Sequence, residues 1–208
     1  MNNGGNIEAT MRSMIMEWGR GRIFFIDDFA ALNDNVSVRQ FLSCMAKDGF
    51  IIRLARGIYC YPQIAGGEYS SKRILPGPET IAYALAAKEN IRIIPYGDYA
   101  ANKLGLSELV VSNLKYLTDG SPRIINLSAT SKIYFNHTSE VKMFAFRNET
   151  MQMLCSGIRA LGEDYFKRED IKRKVLLHLK DIPEKDFRHD IALPPAWVAK
   201  MLSELWYI

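Results

Sequence analysis

The chain has 208 residues, 48% of them apolar and 24% charged, with a formal net charge of +4. Those proportions belong to a globular protein with enough core to fold unaided, and they exclude disorder. No uncharged apolar run approaches the roughly 18 residues of a spanning helix, and Glu8, Arg12, Glu17 and Arg20 leave no secretory apolar segment at the start, so a cytoplasmic protein with no membrane partner is expected.

Ile7, Met11, Met14, Ile15 and Trp18 recur at helical spacing before Gly19, which predicts an amphipathic helix over 7–18. GRGRIFF (19–25) then passes from loop into a short β run. Asp27 can N-cap a short helix through Leu32, with Phe29 and Leu32 inward, and NDN (33–35) is a turn.

The run SVRQFLSCMAKDG (37–49) carries an S-x-x-Q capping box in Ser37 and Gln40 and a C-terminal Gly49. Val38, Phe41, Leu42 and Met45 form its buried stripe. Arg39, Gln40, Ser43 and Lys47 are left outward, a cationic, hydrogen-bonding face suited to base edges in a major groove. FIIRLARGIYCYP (50–62) follows as a hairpin, with Ile52 and Leu54 answered by Ile58 and Cys60. Gly57 supplies the positive φ of a tight turn and Arg56 projects from the tip, with Arg53 and Tyr59 on the strands beside it. Helix, short helix, helix, hairpin is the order of a winged helix-turn-helix. Its candidate DNA contacts are Ser37, Arg39, Gln40, Ser43, Lys47, Arg53, Arg56, Gly57 and Tyr59, joined by Arg20 and Arg22. The alternative is a hairpin-capped helical unit whose arginines are only solvated, or one that grips a protein.

Ser, Pro and Gly concentrate in SSKRILPGPE (70–79), which divides the chain into a DNA-binding domain over 1–69 and an α+β effector domain over 77–208. Thr80–Lys88 reads as helix, IRII (91–94) as a buried strand, and YGDYAANKLGLS (96–107) as a loop and a helix ended by Gly105. LKYLTD, RIINLS and KIYFNH (114–137) read as three strands of a small sheet. From Asn148 to the end the pattern is helical, with stripes Met151–Leu154–Ile158–Leu161, Ile171–Val175–Leu179 and Trp197–Met201–Leu205. The expected fold class is α+β: an N-terminal winged helix-turn-helix, then a mixed domain with a small sheet and a helical C-terminal part.

Chemistry-bearing patterns are few. Cys44, Cys60 and Cys155 are scattered without a CxxC pair, and His137, His178 and His189 have no ligand-spaced partners, so neither a disulfide framework nor a metal or other cofactor is expected. Phosphate-cradling and nucleophile-turn motifs are missing, which places an enzyme last. The basic run FKREDIKRKVLLHLK (166–180) is offset by Glu163, Asp164, Glu169 and Asp170 and reads as a solvated helix face. Charge does not single out one part: residues 1–76 hold nine Lys/Arg against seven Asp/Glu, and residues 77–208 hold 18 against 16. Only the placement of the charges can argue for a nucleic-acid partner.

The strings DDFAAL, VRQFLSCMAKDGFIIRLARGIYCYP, PETIAYALA, IIPYGDYAANKLGLS and KYLTDGSPRII, in this order over about residues 20–127, resemble the AbiEi-type antitoxins of bacterial type IV toxin–antitoxin systems and related winged-helix regulators. The resemblance implies a repressor of its own operon that binds inverted repeats in promoter DNA, followed by a domain needed for antitoxic action. It also implies a nucleotidyltransferase-like toxin encoded alongside, with which no stable complex is required. A protein-interaction module, and a ligand-sensing regulator with its pocket in residues 80–136, remain alternatives, and homodimerisation stays open.

Overall fold

The computed structural model describes residues 3–65 and 72–207, with side chains from Asn6 onward. Ser70 and Ser71, at the start of the run expected to join the two domains, lie outside the described residues. The fold is α+β, and the chain divides into two compact units, 1–84 and 85–208.

The first unit opens with helix α1 (Asn3–Trp18), which buries Met11 and Ile15 completely. Gly19 ends it, and strand β1 (Ile23–Phe25) leads into a 3-10 helix, Ile26–Leu32. Asp28, not the expected Asp27, holds the start of that turn by accepting the Phe25 N–H at 2.8 Å. Phe29 is buried as expected, with its ring 5.1 Å from Trp18 and edge-on to Phe24 at 5.9 Å. Helix α2 (Asn35–Lys47) follows, burying Val38, Leu42 and Met45.

Strands β2 (Ile52–Ala55) and β3 (Ile58–Cys60) make the hairpin, with Arg56 and Gly57 as its two-residue loop. The sheet is antiparallel in the order β1-β3-β2, and the central strand β3 is buried along its length. A further hairpin, β4 (Gln63–Ala65) with β5 (Lys72–Ile74), is hidden from sequence reading, because its second strand falls inside the Ser-, Pro- and Gly-rich run that reads as a linker. Helix α3 (Pro78–Glu89) comes next, and the division between the units falls within it.

In the second unit β6 (Ile93–Pro95) precedes a short helix, α4 (Asp98–Lys103). Strands β7 (Asn113–Thr118), β8 (Arg123–Asn126) and β9 (Lys132–His137) complete a four-stranded sheet in the order β6-β7-β9-β8. All three later strands stand where alternation places them. β7 and β9 pair in parallel, bringing Tyr116 opposite Phe135, both buried. Helices α5 (Glu149–Leu161), α6 (Glu163–Phe166), α7 (Glu169–Lys180), α8 (Glu184–Asp190) and α9 (Ala196–Trp206) form the helical part. Their core joins Met151, Leu154 and Ile158 to Ile171, Val175, Leu179 and the last helix. On α9 the buried stripe is Val198, Leu202 and Leu205, one position on from the expected Trp197 and Met201, which are only partly covered. No described helix is long and apolar enough to cross a membrane.

Candidate nucleic-acid interface

Several acids of the first unit are committed to its own structure. Asp34 N-caps α2, its Oδ1 accepting the Ser37 N–H at 3.0 Å, and the Ser37 hydroxyl together with this N–H holds the Asp34 carboxyl below its ordinary range. Asp28 caps the 3-10 turn. Glu8 is paired with Arg12 at 2.9 Å, one helical turn away, and Asp48 stands 3.9 Å from the same guanidinium. The arginines of α2 and the β2–β3 hairpin have no ion pair among the described residues.

Three of them converge. Arg39 and Ser43 from α2, Arg53 from β2, and Arg56 and Gly57 from the loop line one open notch of about 470 Å³, walled by Ile26 and floored by Tyr59. No acid lines it. Helical period places Arg39 and Ser43 one turn apart on the outward face of α2. The hairpin tip meets the middle of α2 there, since Arg39 and Ser43 are the fifth and ninth of its 13 residues. Arg53 pairs across the strands with Tyr59, and the register slips by one residue before Ala55 meets Ile58. That irregularity turns the tip, and the Arg53 Nε donates a long bond, 3.4 Å, to the Ala55 carbonyl.

The remaining expected contacts divide. Gln40 and Lys47 are exposed on the same helix face, outside the notch. The capping box assigned to Ser37 and Gln40 is corrected: the cap lies three residues earlier, at Asp34, and Ser37 stands in the first turn, where its hydroxyl and N–H both bond the Asp34 carboxylate. Gln40 is thereby freed from capping. Tyr59 is 5% exposed and stacks on Phe24, so it supports the notch from the core instead of projecting from it. Arg20 does not reach the notch. Its guanidinium lies 4.6 Å over the Tyr61 ring and donates to the Pro62 carbonyl at 3.0 Å, at the opposite end of the sheet. Arg22 is exposed at that same end, where its carbonyl accepts the Tyr61 N–H. Two further exposed cations, Lys72 and Arg73 on β5, lie outside the set expected from the sequence. The signal that could have found them is the pairing of QIA with KRI around a Gly- and Ser-bearing segment.

Elsewhere the chemistry-bearing groups are occupied structurally. His137 Nδ1 meets the Gly120 carbonyl, His178 Nε2 the Leu104 carbonyl, and His189 Nδ1 the carboxylate of Asp190. Burial pushes the Cys60 thiol up to about 11 and the Cys155 thiol higher still, so neither is a nucleophile at neutral pH. Among the described residues no His, Cys, Asp and Glu cluster could hold a metal. On α6 and α7, Lys167 pairs with Asp164, Arg168 with Asp170 and Lys172 with Glu169, the solvated face that the charge balance predicts.

A family model for a family of unknown function, DUF6088, matches residues 10–186, from α1 into α8 and across the whole notch. The chain belongs to the DUF6088 family. No curated protein matches it. Among solved structures, the crystal structure of the RV2827C protein from Mycobacterium tuberculosis is similar at a TM-score of 0.54 and 10% identity, over 97% of this chain and 76% of that one. At that identity the similarity speaks to the fold alone: the α+β arrangement is shared along nearly the whole DUF6088 chain.

Proposed function

We propose that this DUF6088 protein is a cytoplasmic, DNA-binding transcriptional repressor, without enzymatic activity, that acts as the antitoxin of a type IV toxin–antitoxin system and autoregulates its operon. The observation that carries the reading is the acid-free notch where Arg39, Ser43, Arg53 and Arg56 meet at the junction of α2 and the hairpin. In this reading α1, the 3-10 turn, α2 and the β2–β3 hairpin form a winged helix-turn-helix. An α-helix about 10–12 Å across fits the major groove of B-DNA, about 12 Å wide.

Each side chain then has a task. Arg39 presents the planar fork that matches guanine O6 and N7, and Gln40, free of capping duty, matches adenine N6 and N7. Ser43 and Lys47 on the same face meet the flanking backbone. Arg53 and Arg56, held on a short hairpin, take phosphate or enter the adjacent minor groove. The antitoxic half of the proposal rests on the resemblance of residues 20–127 and is assigned to residues 77–208. A nucleotidyltransferase-like protein encoded alongside is the toxin it opposes, without a required stable complex.

The test is a gel-shift series on the full chain with its own promoter and an unrelated duplex of equal length. Specific recognition predicts promoter binding tighter by at least roughly 10³. Equal affinity for the two duplexes would remove the repressor reading, and binding to neither would leave the notch as a protein-docking feature.

A further inference from the structure

The notch takes Arg39 and Ser43 from the middle of helix α2 and leaves its C-terminal end to other residues. That C-terminal end is closed by Gly49 at φ 74, and the guanidinium of Arg73 lies against it: a Cβ placed on Gly49 would come within 2.8 Å of the Arg73 Nη2. Arg73 and its neighbour Lys72 belong to β5, both exposed, and neither has an ion pair among the described residues. The hairpin that carries them is fixed to the unit. Gln63 of β4 pairs with Ile74 and packs so closely on Gly21 that a Cβ there would meet its Nε2 at 2.7 Å.

Ten residues separate Arg39 from Gly49, about 15 Å at the helical rise of about 1.5 Å per residue. The exposed face of α2 between Arg39 and Gly49 is therefore flanked by two groups of unpaired cations, Arg39, Arg53 and Arg56 at the notch and Arg73, with its strand neighbour Lys72, at the C-terminal end. That separation is comparable with the roughly 12 Å width of a B-DNA major groove, whose walls are lines of phosphate. Building on the DNA-binding reading above, we infer that the β4–β5 hairpin is a second phosphate-contacting arm. A duplex seated on α2 is held at the notch and again at the helix's C-terminal end, and Lys72 and Arg73 contribute affinity without reading sequence.

A purely structural role for Arg73, resting a cation near the C-terminal carbonyls of α2, makes a different prediction. The test is a salt titration of duplex binding by the full-length wild type, Lys72→Ala, Lys72→Ala/Arg73→Ala, Arg73→Lys and Arg56→Ala, on the promoter and on an unrelated duplex, with melting temperatures alongside. Every cation removed from a phosphate lowers the slope of log affinity against log salt by about 0.9. The slope should fall by about that amount in Lys72→Ala at unchanged melting temperature and by about twice it in the double variant. The weakening should be equal on both duplexes, and Arg73→Lys should retain the wild-type slope. A double variant with the wild-type slope, while Arg56→Ala lowers it, would overturn the arm and leave the notch reading intact. A wild type that binds neither duplex would overturn the DNA reading and the arm together.

Discussion

Gly57 holds φ 78 in the two-residue loop between Ala55 and Ile58, and the atom nearest to an added Cβ is Ile26 Cδ1, at an ordinary 3.8 Å. Space is therefore not the constraint; backbone conformation is. Gly57→Ala should cost about 1–2 kcal/mol, the penalty of a left-handed L-residue, and urea unfolding of the two proteins reads it directly. Equal stability would mean that the loop relaxes to another turn. The same scale shows what local pattern reveals. Arg39, Ser43, Arg53, Arg56 and Gly57 are legible in the sequence because helical period and strand alternation act on neighbours. Ser37 and Gln40 mislead because Asp34, three residues before Ser37, competes for the cap and wins. Arg20 misleads because its partners Tyr61 and Pro62 are some forty residues away, where no periodicity reports them.

Helix α5 begins where two signals meet, one local and one distant. Asn148 caps it through Oδ1, accepting the Met151 N–H at 2.9 Å. Asp190, at the end of α8 and fully buried, accepts the N–H groups of both Arg147 and Asn148 at 2.9 Å. Removing that carboxylate leaves two backbone donors without their acceptor. Asp190→Ala should destabilise the second unit by on the order of 1–3 kcal/mol for each donor left unpaired. Thermal unfolding followed by circular dichroism would show this, and an unchanged transition would mean that water replaces the carboxylate. The Asn148 cap is open to sequence reading, while the Asp190 bridge is not, since it links positions more than forty apart. The same division holds for whole elements. The three strands of 113–137 follow from alternation, but the parallel pairing of β7 with β9 is a tertiary choice. The stripe of α9 is displaced by one residue because Trp197 and Val198 are both apolar and only the packed neighbours select between them.

Across the whole molecule a net charge of +4 says little, since both parts of the chain carry similar surpluses. The difference lies in how the acids are placed. In the second unit they pair with cations along α6 and α7. In the first, Asp28 and Asp34 are committed to backbone N–H groups, and the hairpin and α2 keep their arginines free. The proposed repressor function depends on those free arginines meeting phosphate. The direct measurement is a salt titration of promoter binding by the full-length wild type and the Arg53→Ala/Arg56→Ala variant, with melting temperature as the folding control. Two exposed arginines on a hairpin support no core, so the melting temperature should hold. The slope of log affinity against log salt should fall by about 1.8, two phosphates at about 0.9 each. An unchanged slope and affinity in a folded variant would contradict the account, because the notch would then face no nucleic acid.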